Sequence, residues 1–134
     1  QSITLPIQIT HDGKENIIKR WQNKGSNFVE EVMIEQITSN LNQLDIGELI
    51  LIDIEADGRG GGYNTGIYEE FRNKISIPII LAGGDGRIEQ IPEAMEKRVE
   101  AVMISNLFSF IGDGIKLARE LSIDRGLSVA RFGE

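Results

Sequence analysis

GELILIDIEADGRGGGY at residues 47–63, SIPIILAGGDGR at 76–87 and AVMISN at 101–106 decide how this chain folds. Each begins as an apolar run and ends on glycines or small polar residues. Runs of this kind read as strands of a parallel sheet, buried on both faces. The strand cores start near Leu49, Pro78 and Ala101, at steps of 29 and 23 residues. That is the length of a strand plus its returning helix, so region 47–110 reads as successive βα units. The glycine loops all follow the carboxyl ends of their strands, the edge where parallel α/β folds bind ligands.

The connecting segments support this reading. Residues 64–75 form an expected helix with Ile67 and Phe71 packed and Tyr68 beside them. Residues 88–98 form another, with Pro92 tolerated in its first turn. Gly112 and Gly114 turn the chain into a last helix through Leu121, and 127–132 is a short tail. Upstream, Asn27 is an expected N-cap for a helix to Leu44, because Val29, Met33, Ile37, Leu41 and Leu44 fall on one helical face. Residues 17–26 read as a short helix or loop, and 11–16 carry an Asp-Gly turn. Residues 2–10 alternate apolar and polar around Pro6, the pattern of an edge strand.

The 134 residues suffice for one domain with a substantial core. A formal charge of −7 argues against nucleic-acid and anionic-membrane partners, which favour a basic face. The absence of cysteine excludes disulfides and thiolate metal sites. No apolar run approaches the ~20 residues of a membrane helix, and the start lacks a signal-peptide pattern. The chain begins at Gln1 without Met, which reads as an excised or processed piece.

Three strand ends carry the candidate site. Asp57 and Gly58 are followed by Gly60, Gly61 and Gly62. Such loops aim several N–H groups at one point and hold phosphate, with Asp57 free to accept from a sugar hydroxyl or ring nitrogen. The same residues also suit a plain turn with a capping Asp. Gly83 and Gly84 precede a helix and could grip phosphate or simply make a tight βα turn. Ser105 and Asn106 bring hydroxyl and amide donors to the same edge, or cap the strand. Adjacent use of the last two loops matches a phosphate site common in (βα) barrels. Asp53 lies within an apolar strand and is expected to pair with a neighbouring helix rather than act as an acid or base. His11 is the only histidine, with no visible proton-transfer partner. Lys19, Arg20 and Lys24 read as a solvated face. No set of residues converges as metal ligands, and no cofactor is implied.

The three motifs, with RGLSVARF at 125–132, resemble the C-terminal half of the cyclase subunit of imidazole glycerol phosphate synthase. The resemblance covers residues 47–132; 1–46 diverge, although HDGKEN is similar to the family's basic turn after its fifth strand. It implies an α/β fold, a (βα)8 TIM barrel, here a C-terminal half-barrel of about four parallel βα units in a single domain. It further implies a cytoplasmic lyase of histidine biosynthesis. Such an enzyme takes ammonia from a glutaminase partner and acts on a phosphorylated ribulosyl aminoimidazole carboxamide. On this resemblance Asp57 and Gly58 lie at the substrate, and Gly83, Gly84, Ser105 and Asn106 form the second of two phosphate sites. Glu48 matches an acid in the charged ring at the barrel floor, where ammonia enters.

The segments holding the family's two catalytic aspartates and its first phosphate site are not in this sequence, so no catalytic residue is assigned. Ile52, Arg59, Ala82 and Asn106 replace residues that usually bear hydroxyls in the family. A paralogous branch, linked to amidation of surface-polysaccharide sugars, fits the divergent loops as well. A full barrel needs about 250 residues. An open half-barrel exposes a sheet edge, so it must self-associate or be part of a longer chain. A non-catalytic half-barrel binding a phosphorylated metabolite, and an unrelated doubly wound domain, are the other readings.

Overall fold

The computed structural model describes residues 3–10, 17–23 and 27–131. Six strands make one sheet: β1 (Thr4–Thr10), β2 (Ile17–Asn23), β3 (Asn27–Met33), β4 (Glu48–Asp53), β5 (Ile79–Ala82) and β6 (Ala101–Met103), in the order β3-β2-β1-β4-β5-β6. β1, β4, β5 and β6 run parallel, while β2 and β3 are added antiparallel at one side. Helix α1 (Ile34–Leu41) joins β3 to β4, α2 (Thr65–Arg72) joins β4 to β5, α3 (Gln90–Glu96) joins β5 to β6, and α4 (Gly114–Asp124) follows β6. The parallel βα units are those of a partial α/β barrel.

The helices cover one face of the sheet. Ile9, Leu49, Leu51, Ile79 and Leu81 point into it and meet Ile34, Ile37 and Leu41 of α1, Ile67 and Phe71 of α2, and Ile91 and Ala94 of α3. Each aliphatic or aromatic side chain fully withdrawn from water there contributes about 1.5–3 kcal/mol of transfer free energy. Burial in β4 alternates strictly: Leu49, Leu51 and Asp53 are buried, while Glu48, Ile50 and Ile52 are half-buried. The strands were expected to be buried on both faces. One face alone is covered among the described residues, and Met103 on β6 stays 43% exposed.

The N-terminal third differs from expectation. The helix expected over 27–44 is a strand followed by a helix: β3 occupies its first seven residues and α1 starts at Ile34. A step of four residues satisfies a period of two as well as a period of 3.6, so Val29 and Met33 fit a strand face equally. Asn27 opens β3 and caps no helix; Met33 stands at the N-cap with no side-chain capping bond. Leu44, expected on the packed face, lies beyond the end of α1 and is 53% exposed. Residues 17–23, expected as a short helix or loop, are a strand paired with β3 from Ile17↔Met33 to Asn23↔Asn27. That pairing is set by the partner strand, not by any apolar alternation of its own.

β1 is an interior strand, not the edge expected around Pro6. It pairs with β4 from Thr4 to Ile9, but with β2 only at Ile9 and Thr10. Pro6 therefore sits where the β2 side carries no ladder, which is where proline is tolerated. His11, the Asp-Gly turn and Lys24 lie outside the described residues.

Candidate functional site

β4, β5 and β6 deliver their following loops to one end of the sheet. The first loop is anchored by Asp53. This carboxylate is buried and accepts from the N–H groups of Glu55 (3.2 Å) and Ala56 (3.0 Å) through Oδ1. Its Oδ2 accepts from Nδ2 of Asn64 at 2.9 Å, and Oδ1 of Asn64 in turn accepts from Ile67 N–H at 3.1 Å as the N-cap of α2. One carboxylate thus ties the strand end, the loop and the next helix together, the helix-pairing role expected for it. Three donors thus satisfy both oxygens of this buried carboxyl group.

The second loop packs into the first. Gly83 (φ 87°) and Gly84 (φ 101°) take left-handed conformations that favour glycine. A Cβ on Gly83 would collide with the Asp53 carbonyl, and one on Gly84 with the Gly62 carbonyl. Gly62 N–H donates to the Gly84 carbonyl at 2.8 Å. These glycines therefore let two backbones approach closely; both are buried.

A cleft of about 480 Å³ opens beside this junction, lined by Asp57 and Gly58 of the first loop and by Asp85 and Gly86 of the second. Ser105, Asn106 and Leu107 complete it from the end of β6, and Phe110, 80% exposed, forms its rim. Of the residues expected together, Asp57, Gly58, Ser105 and Asn106 meet here. Gly83 and Gly84 do not line the cleft; their place is taken by the next two residues. Asp85 and Gly86, the last two residues before Arg87 in the GGDGR motif, are site residues that the sequence reading does not single out. The signal was an acidic residue between glycines at a strand end.

The cleft is acidic on one side. Partial burial, and then the charge of Asp57, push the Asp85 carboxyl above its ordinary range, against the pull of a backbone hydrogen bond. The Tyr63 phenol is pushed up by burial and then by Asp85; its hydroxyl faces the Met103 carbonyl at 3.4 Å. Glu48 stands at the opposite end of β4, where it accepts from Thr4 Oγ1 at 3.1 Å. Among the described residues no three His, Asp or Glu side chains gather as a metal site, and no helix is long and apolar enough to cross a membrane.

A family model described as "Histidine biosynthesis protein" matches residues 1–112. A protein of Parasynechococcus marenigrum, provisionally named imidazole glycerol phosphate synthase subunit hisF2, is 33% identical over 121 residues, covering 90% of this chain and 44% of that protein. The imidazole glycerol phosphate synthase subunit HisF of Pyrobaculum aerophilum is 33% identical over 66% of this chain and 35% of its own length. The HisF subunit of Pelodictyon phaeoclathratiforme is 25% identical over 96% of this chain and 51% of its own length. The chain spans about half the length of these relatives, or less. A match over most of the chain, carried by a parallel βα sheet with its loops gathered at one edge, means that it belongs to the histidine biosynthesis family of TIM-barrel proteins.

Proposed function

We propose that this chain is the C-terminal part of a cyclase-type barrel that forms imidazole glycerol phosphate, a lyase step of histidine biosynthesis fed with ammonia by a glutaminase partner. The observation that carries it is the convergence of three successive strand-end loops on one cleft, which Ser105 and Asn106 line together with Asp57 and Gly58. The hydroxyl and amide of Ser105 and Asn106 suit a phosphate ester. Asp57 and Asp85 suit the sugar hydroxyls, since two carboxylates repel a dianion. Of the phosphate site expected at Gly83, Gly84, Ser105 and Asn106, this reading keeps the last two. Glu48, at the far end of β4, suits the floor through which ammonia would enter. The acid–base groups would come from residues outside this chain.

A bisphosphorylated substrate analogue titrated into the full-length protein should bind in the micromolar to millimolar range usual for enzyme substrates. The pair Ser105→Ala and Asn106→Ala should weaken it by an order of magnitude or more. Undetectable binding in a folded, complete barrel would overturn the reading.

Two observations favour a second reading, amidation of a surface-polysaccharide sugar by the paralogous branch. Ile52 and Ala82 bring no hydroxyl to the strand ends, and Asp85 adds a second carboxylate to the cleft. Turnover with the aminoimidazole substrate against a sugar substrate, each with ammonia, separates the two. The uncovered sheet face supports self-association as a route to a closed barrel, with the chain binding a phosphorylated metabolite without turnover. A monomeric, well-folded 134-residue chain in sedimentation would exclude that form.

A further inference from the structure

Gln90 is the first residue of α3 and one of the few buried polar residues, at 4% exposure. Its Oε1 accepts from Gly86 N–H at 2.8 Å and from Arg87 N–H at 2.9 Å. Its Nε2 donates to the Gly60 carbonyl at 3.0 Å. The two acceptor bonds repeat the logic by which a Gln in the first helical turn reaches back to unsatisfied N–H groups. The donor bond does something else: it crosses from the second strand-end loop to the first. A side-chain amide supplies both functions at once, whereas an ionised carboxylate cannot donate and a charged lysine cannot accept. Gly62 N–H, donating to the Gly84 carbonyl, joins the same two loops, so Gln90 adds a side-chain bond to a backbone one at this junction.

We infer that Gln90 is a positioning residue that locks the first and second loops into one body and withholds the Gly86 and Arg87 N–H groups from any bound anion. Asp57 and Gly58 then face Asp85 and Gly86 across the cleft at a fixed separation. An anion is left with the donors at Ser105 and Asn106. This last part rests on the anion-binding cleft proposed above; the lock itself does not.

Amide hydrogen exchange and inorganic phosphate titration, both followed by NMR on the full-length protein, test it. In the unmodified protein, phosphate should shift the Ser105 and Asn106 amides and leave Gly86 and Arg87 in place. In Gln90→Leu, Gly86 and Arg87 should exchange ~10-fold faster or more, while Leu51 and Leu81 in the sheet keep their protection. In Gln90→Glu the acceptor oxygens remain, so Gly86 and Arg87 should stay protected. The Gly61 amide, bonded to the Gly60 carbonyl, should shift because its donor is gone. If Gln90→Leu does not fold, Gln90→Glu decides the matter alone. Unchanged exchange at Gly86 and Arg87 in the Leu variant, an unmoved Gly61 in the Glu variant, or phosphate shifts at Gly86 and Arg87 in the unmodified protein would each overturn the inference. A phosphate response absent everywhere counts against the anion-binding reading, and the exchange pattern still judges the lock.

Discussion

The two sides of the sheet are built on different principles. From β4 to β6, each strand is held by helices on its face and a neighbour on each side or at one edge, and the loops after β4 and β5 are wedged together. Among the described residues, the β2–β3 hairpin pairs with itself over seven positions and with the rest of the sheet at Ile9↔Arg20 and Thr10↔Lys19. The first arrangement is over-determined by close contacts, so it leaves clear marks in the sequence. The second rests on cross-strand pairing, which tolerates many residue types.

Substitutions sharpen this contrast. Gly84→Ala forces a Cβ into the Gly62 carbonyl at a left-handed φ, and should cost about 3 kcal/mol or more in denaturant unfolding. Gly58 has a similar φ of 73° but open space around it, so Gly58→Ala should cost only about 1 kcal/mol. Equal costs for the two would show that loop-on-loop contact is not what holds the parallel side together. Asp53→Ala strands three donors at once and should cost about 2 kcal/mol, with the N-terminal turn of α2 losing exchange protection first.

On the other side, Trp21→Pro should abolish exchange protection within β2 and β3. The unfolding free energy should change by less than about 1 kcal/mol, because among the described residues the hairpin pairs with β1 at two positions. A global loss of stability would break the contrast. The smallest effect is expected at Asp85. Its folded carboxyl binds a proton more tightly than the unfolded one, so it favours the fold at low pH and loses that contribution as pH rises from 3.8 through its raised value. Asp85→Asn should therefore slightly raise the melting temperature at pH 7, flatten this part of the pH profile and tighten phosphate binding.

The same contrast explains what was legible. The βα units of 47–124 were readable because a strand buried against a helix must be apolar, and a loop pressed on a loop must be glycine. The capping of α2 was half visible: a lone acid in β4 implied a partner, though not that Asn64 would be it. The hairpin was hidden because Val29 and Met33, four apart, obey both strand and helix periods. At the cleft, Asp57, Gly58, Ser105 and Asn106 were legible from their places at strand ends. Asp85, Gly86 and Gln90 were not assigned, because their roles depend on contacts across 30 residues of sequence, as in the bond from Gln90 to Gly60.

Local chemistry thus settled which stretches are strands of a parallel sheet and which edge gathers the polar residues, since burial and left-handed backbone restrict residue type position by position. Which glycines touch each other and which line the cleft was decided by packing. So was the choice of N–H groups already satisfied by a side chain. Those depend on distances between segments far apart in the chain, and no single segment encodes them.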